Sequence, residues 1–518
     1  MGRVRRVVEN LAIAAIAGCC ACSGEDGTPS GTTAVIAISA DPGHFNPGIT
    51  TAAQVHAVAD SLFNGLVALD AHGNPVPDLA TSWDVKEGGK AYVFHLASNV
   101  RWHDGEPFTS RDVAFTFKEV LLRFHARTRA GLESAIESIE TPDTHTVVFR
   151  FRAPHAPFLA RLDVTEAPIL PAHVFGDGDI ERHRANLEPV GTGPFRLDSY
   201  RRDDRIVLAR NEGYFKPGLP RLDRLVFRVI PDATTEILAL ERGEVDYVSQ
   251  LRASDAARLR ASRAFTVVAT PNGPGGGNCI MTWIFNLERK ALAPLAVRRA
   301  LVRAIDRREI LEKVLFGEGK VAKAPFSSGI SWAHDAEALE GQKYDPAEAR
   351  ALLEKSAPRL RSIDVVHFPT FLKYGELMKE QLARVGVDLK VRALDRPATV
   401  STIYVKRDFD TGLVSYCNGN DPEIGLRRMY HSSEIGPVAF SNGAAYRNSI
   451  IDALFDGAAI EPEREARGRL YRDIQRRVTD ELPYWWLLET TSLTAYRRSF
   501  RDFAPWSGQF AETASASP

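Results

Sequence analysis

The stretch Ser415-Tyr416-Cys417-Asn418-Gly419-Asn420-Asp421-Pro422-Glu423 is the chain's richest mixture of chemistry-bearing side chains. A carboxylate there could hold a ligand ammonium through charge-assisted hydrogen bonds, whereas an amide offers only a weaker dipole. Four large aromatics, Trp283, Phe285, Tyr416 and Trp485, could line a pocket around such groups. Ligand sites are mostly apolar with a few oriented polar atoms. The same four could equally fill a core, where large aromatics are buried for packing alone. Catalysis finds less support. The chain has no H-E-x-x-H and no G-x-S-x-G elbow. His103-Asp104 could be drawn as part of a triad, but it falls in a turn; a secreted hydrolase stays as a lesser alternative. The 13 His are scattered and form no cluster with Cys, which argues against a bound metal such as nickel. No cofactor is expected. Pro189-Val190-Gly191-Thr192-Gly193-Pro194-Phe195 is glycine-rich, yet no Lys-Ser or Lys-Thr follows it. It therefore reads as a crossover between lobes and not as a phosphate loop.

The elements that must position these residues are legible in order. Tyr92, Phe94 and Leu96 alternate as a half-buried strand. Asp104-Gly105 supplies a tight turn. Thr109 caps a helix expected from Ser110 to about Leu122, with Asp112 as its capping-box partner and Phe108 and Val113 as a hydrophobic staple. Residues 34–39, 147–151, 205–209 and 225–230 read as strands. Val297, Leu301 and Ile305 fall at helical spacing, and Asp306 with Glu309 restarts a helix that Gly317 ends. Asp345, Pro346 and Glu348 start another. A strand at 363–367, a helix at 374–385 stopped by Gly386, and alternating Val387, Leu389 and Val391 imply a parallel crossover and an α/β lobe.

Several of these runs, taken together, resemble one family: the extracytoplasmic solute-binding proteins (family 5) that feed ABC importers of peptides, nickel complexes and related solutes. The residues that carry the resemblance are Pro77, Leu79, Ala80, Ser82 and Trp83, then Phe94 and Leu96, then His103, Asp104, Gly105, Pro107, Thr109, Asp112 and Val113. The run V-G-T-G-P-F at 190–195, Val245-Asp246, V-R-R-A-L-V-R-A-I-D-R-R-E-I at 297–310 and Leu482-Pro483 extend it toward the C-terminus.

The resemblance implies an α/β fold like that of type II periplasmic-binding proteins, with two large lobes joined by crossing strands plus a smaller inserted α+β subdomain. Lobe 1 would take residues 34–63, 193–283 and 484–518, the inserted subdomain 64–192, and lobe 2 residues 284–483. It implies a monomer that does no chemistry itself, captures a solute in the interlobe cleft and hands it to a permease driven by ATPase subunits. The ligand contacts it implies are Phe45 and Asn46 in an early loop, the aromatics Trp283, Phe285, Tyr416 and Trp485, and Cys417, Asn418 and Asp421. Peptide-binding members carry an Asp three residues before a "DP" pair, and here that place holds Asn418. An ammonium facing a neutral amide is under-compensated, which opens non-peptide ligands such as a metal chelate, a sugar or an opine. The family also implies a Cys279–Cys417 disulfide, although Cys417 stands one residue out of step; two separate thiols are the alternative.

Arg3, Arg5 and Arg6 precede a short apolar run at 11–17, and Ile16-Ala17-Gly18-Cys19 resembles a bacterial lipobox. The expected layout is a signal peptide at 1–18, lipidation at Cys19 and a flexible tether at 19–33. An ordinary secretory signal is the alternative, and both export the chain. The expected location is the periplasm, with the lipid anchor in a membrane facing it, or the cell surface. With 65 Lys plus Arg against 66 Asp plus Glu, nothing in the charge balance suggests a nucleic-acid partner. At 518 residues the chain has room for two to four domains.

Overall fold

The computed structural model describes residues 32–176, 178–273 and 276–517. The expected signal peptide, Cys19 and most of the tether lie outside the described residues.

Three sheets carry the architecture. The first has seven strands in the order Phe265–Thr270, Ser492–Arg497, Tyr247–Val248, Thr33–Ile38, Arg224–Val229, Arg205–Arg210 and Phe195–Arg201. Segments from the start, middle and end of the chain thus share one core. The second has six: Lys320–Val321, Tyr484–Glu489, Cys279–Phe285, Thr411–Cys417, Ser362–His367 and Asp388–Ala393. Here Ser362–His367 and Asp388–Ala393 pair in parallel around the helix Leu372–Ala383, the crossover the sequence pattern requires. The third is antiparallel, in the order Ala80–Lys86, Ala91–Leu96, Thr146–Phe151 and Ile136–Asp143.

Local rules account for the third sheet and its helix. Tyr92, Phe94 and Leu96 are buried, and Phe94 meets Phe149 edge-on at 5.8 Å. Thr109 and Asp112 form a reciprocal capping box, with the Thr109 N–H donating to Asp112 Oδ2 at 2.8 Å. The helix does not run on regularly as expected. Ser110–Phe115 gives way to a widened π-helical stretch, Thr116–Leu121. There the Thr116 hydroxyl accepts from the Leu170 N–H at 2.9 Å, a side-chain bond that stitches the stretch to the neighbouring segment.

Two glycines make the junction between the third sheet's subdomain and the first lobe. A Cβ on Gly191 would sit 1.8 Å from the Leu62 carbonyl oxygen, and one on Gly193 would lie 2.4 Å from the Leu62 carbonyl carbon. Only glycine allows these backbones to meet. His103 closes the same junction: its Nδ1 accepts from the Gly191 N–H at 3.1 Å, and its Nε2 lies 3.1 Å from the Gly193 carbonyl oxygen.

The crossing strands depart from the expected division. Cys279–Phe285 pairs antiparallel with both Thr411–Cys417 and Tyr484–Glu489, entirely within the second sheet. A boundary at 283/284 would cut the first strand, and one at 483/484 would assign the whole of Tyr484–Glu489 to lobe 1. The chain instead changes sheets before Cys279 and after Glu489, because both strands are buried along most of their length in the second lobe's core.

Candidate functional site

Most of the loop and strand residues expected to touch a ligand are buried in packed surroundings. Phe45 is buried and meets Tyr200 edge-on at 5.1 Å. Asn46 donates to Asn186 Oδ1 at 2.8 Å and accepts from the Gly48 N–H at 3.0 Å, which fixes a turn. Trp283, Phe285, Tyr416 and Trp485 all fall within the second lobe's core cluster. Trp283, Phe285 and Tyr416 are enclosed there, and Trp485 also lines a cavity of this lobe. Cys279 and Cys417 stand opposite each other across the pairing and are joined by a disulfide; Cys417 is thereby a structural group.

Asp421 is also committed. Arg467 grips it with two hydrogen bonds, Nη1 to Oδ2 at 2.8 Å and Nη2 to Oδ1 at 2.9 Å, and Asp421 Oδ1 accepts from the Glu423 N–H at 3.0 Å. The guanidinium also donates to the Ala458 carbonyl at 2.9 Å and lies 5.2 Å from the Trp332 ring centre. Both partners are buried, and a bidentate pair of this kind is among the strongest side-chain contacts.

Asn418 is different. It is 1 % exposed, and neither its Oδ1 nor its Nδ2 has a hydrogen-bond partner among the described residues. It follows the strand Thr411–Cys417 directly and abuts the short helix Pro422–Gly425; a Cβ on Gly425 would lie 2.8 Å from Asn418 Cα. Leaving a buried amide unpaired costs free energy, and no side-chain hydrogen bond among the described residues offsets that cost at Asn418.

A polar layer from the inserted subdomain meets this part of lobe 2. The two bodies touch where the Ala156 N–H donates to the Ala459 carbonyl at 3.1 Å and Arg464 donates to Asn74 at 2.7 Å. Within the layer, Arg127 pairs with Glu166 at 3.1 Å. Arg161 makes no ion pair among the described residues, and its Nε has no acceptor. Burial pulls the Arg161 guanidinium below its ordinary value, against the field of Glu166, Asp421 and Glu423. The helix carrying Gly131 passes close over it: a Cβ on Gly131 would lie 2.7 Å from Arg161 Cζ.

Two acids share this environment. Burial pushes Glu423 up to about 7, with Arg427 opposing, and its Oε2 has no partner. Burial also pushes Asp163 up to about 7, with Glu166 and Asp60 adding to the rise, and its Oδ1 is unpartnered. The layer thus offers an unpaired cation, an unpartnered amide and two acids poised near neutrality. That set can hold a solute bearing both charges; it contains no activated nucleophile. Four His lie in or near the layer. His155 and His125 each keep a buried Nε2 without a partner among the described residues, and burial holds them down at about 4 and about 3. His103 is buried and held down at about 4. His56 is bound on both ring nitrogens, to Asp60 at 2.8 Å and to the Thr50 carbonyl at 3.1 Å.

Sequence reasoning missed Arg161, Arg127, Asp163 and Glu166, which carry no motif. Glu423 stood inside the singled-out stretch, and only its burial sets it apart from Asp421.

A model of the middle region of bacterial extracellular solute-binding proteins, family 5, matches residues 74–437. The chain is 27% identical over 496 residues to a di/tripeptide-binding protein 3 of Pseudomonas aeruginosa, covering 89% of this chain and 90% of that one. Its structure is similar to that of the ABC transporter substrate binding protein CtaP of Listeria monocytogenes, with a TM-score of 0.82 at 24% identity, over 94% of this chain and 99% of that one. It is also similar to the periplasmic binding protein DppA of Helicobacter pylori in complex with the peptide STSA, with a TM-score of 0.75 at 23% identity, over 93% and 98% of the two chains.

Proposed function

Because the chain belongs to the bacterial extracellular solute-binding proteins of family 5, we propose that it captures a short peptide or peptide-like solute. Capture takes place between the inserted subdomain and lobe 2, and delivery is to the permease of an ABC importer. The observation that carries this reading is the buried Arg161, which has no ion pair among the described residues and lies in the field of Glu423. A ligand carboxylate supplies the missing counter-ion to Arg161, and a ligand ammonium suits ionised Glu423 in place of the Asp absent at position 418. Asn418 then bonds a peptide amide or carbonyl. The di/tripeptide-binding relative supports the substrate class.

The ligand favours the closed arrangement because it bridges groups on both bodies, and closure is a population shift of that size. The chain itself performs no turnover in this reading. It works as a monomer tethered outside the cytoplasm, by a lipid on Cys19 where the lipobox is processed. A second reading, a non-peptide solute with a carboxylate, is favoured by the neutral Asn418. Among the described residues no group of His, Cys, Asp and Glu could hold a metal ion, which weighs against a directly ligated metal.

Native mass spectrometry of the exported chain, followed by calorimetric titration, tests the proposal. A ladder of co-purified peptide masses and binding of trialanine are expected, with weaker binding of its C-terminal amide. One discrete non-peptide mass and no response to trialanine would transfer the site to the second reading. Hydrolysis of the titrant would overturn both.

A further inference from the structure

A cavity of about 470 Å³ opens in lobe 2 at the start of the helix Arg307–Leu315, walled by the strand Lys320–Val321 and residues 336–344. That volume falls in the range of small-molecule sites. Its lining is lopsided in charge. Arg308, Lys323 and Lys343 reach it, and none of the three makes an ion pair among the described residues. Asp306 and Glu340 are the acids present. Asp306 is occupied, accepting from the Arg308 and Glu309 N–H groups at 2.9 and 3.1 Å as the helix cap.

The inner wall is built of aromatic and backbone groups. Arg307 lies with its guanidinium 4.3 Å from the Trp485 ring centre. It is held there by Nη1 donating to the Ala322 and Trp486 carbonyls at 2.7 and 2.8 Å. Trp485 lines the cavity, is 1 % exposed, and its indole N–H has no acceptor among the described residues. A buried indole N–H normally finds a partner. Ile305, Val321 and Leu339 add an apolar lining.

We propose that this cavity is a second ligand site, separate from the interlobe cleft, for a small organic anion with an aromatic or apolar body. The anionic group answers Arg308, Lys323 and Lys343, and the body lies against the apolar wall beside Trp485. A carboxylate, a sulfonate or a phosphate supplies the same chemistry. The site stands on its own geometry and is independent of what the cleft binds.

The test uses the full chain and the fluorescent probe 1-anilinonaphthalene-8-sulfonate, with its uncharged analogue N-phenyl-1-naphthylamine as control. One saturable site is expected for the sulfonate, with the neutral analogue at least about tenfold weaker. Lys323→Glu with Lys343→Glu reverses two exposed charges that make no ion pair among the described residues. The pair should weaken the sulfonate about tenfold or more and leave trialanine titration unchanged. Unchanged sulfonate affinity in the double variant would overturn the proposal. So would equal binding of the neutral analogue, or displacement of the sulfonate from wild-type chain by trialanine. In the Asn418→Ala chain the sulfonate should bind as before; its loss there would assign the probe to the cleft.

Discussion

Arg467 is 4 % exposed and Arg161 is 7 % exposed, so each guanidinium has lost most of its hydration. Arg467 receives compensation from within the chain: both Asp421 oxygens, the Ala458 carbonyl and the Tyr471 hydroxyl. Arg161, across the same interface, receives no ion pair among the described residues, and the acids in its field stand at a distance. Desolvating a charge without a partner is expensive. A fold retains such a cost where something that binds later removes it. The paired arginine is therefore architecture, and the unpaired one is the group that the proposed function assigns to a solute carboxylate.

The comparison breaks first at Arg467. Arg467→Met leaves Asp421 buried and alone, and a loss of about 3–5 kcal/mol of stability is expected, read as a lowered midpoint in thermal or urea unfolding. Adding Asp421→Asn removes the stranded charge and should recover part of that loss. An unchanged midpoint in the single variant would contradict the structural role. Arg161→Gln should do the reverse. No ion pair is lost, so stability should hold within about 1 kcal/mol. Affinity for trialanine should fall about 100-fold, in line with losing a buried charged contact across an interface. The C-terminal amide of trialanine should lose little, and an equal loss for both ligands would show that Arg161 does not read the carboxylate.

What could be read from the sequence divides along a similar line. The Thr109–Asp112 capping box, the Asp345-Pro346 helix start and the parallel crossover around 372–383 depend on residues close in the chain, and the structure has all three. The sequence leaves the aromatics open between core and ligand wall, because a strand buried on both faces and a strand lining a cleft have the same composition; only the covering helices tell them apart. Asp421 was singled out over Glu423 because it carries the "DP" motif. Arg467, 46 residues further on, claims it, and no local pattern announces that pairing. Arg161 was invisible for a related reason, since having no partner is a property of the whole packed interface.

The acids offer a finer comparison through pH. Glu423 is raised from 4.5 to about 7 and Asp163 from 3.8 to about 7, both chiefly by burial. Between roughly pH 4.5 and 7 the folded chain therefore holds protons that the unfolded chain has released. Stability should fall as pH rises through that window and stay lower above it. Glu423→Gln should flatten the slope and raise the unfolding midpoint at pH 8. Binding should run the other way for an amine ligand, because the ammonium needs Glu423 ionised. Below pH 7, affinity for trialanine should drop by up to about tenfold per unit, whereas N-acetyl-trialanine should show no such loss. Parallel pH profiles for the two ligands would remove Glu423 from the amine site.

The smallest expected effect probes Asn418 itself. Its side chain is enclosed, with both polar atoms unpartnered, so Asn418→Asp changes charge with almost no change in volume. Without ligand, the new carboxylate is buried with no donor and should titrate upward, costing about 1–3 kcal/mol of stability at pH 8. With ligand, it competes with Glu423 for the ammonium. Where the ammonium lies within reach of position 418, preference for trialanine over its N-acetyl form should rise several-fold, since one charge-assisted bond replaces a dipolar one. The Glu423→Gln background separates the two acids: there, Asn418→Asp should restore the preference that Glu423→Gln removed. Equal affinities for acetylated and free trialanine in the single and double variants alike would mean that Asn418 bonds the peptide backbone only, leaving Glu423 to meet the amine.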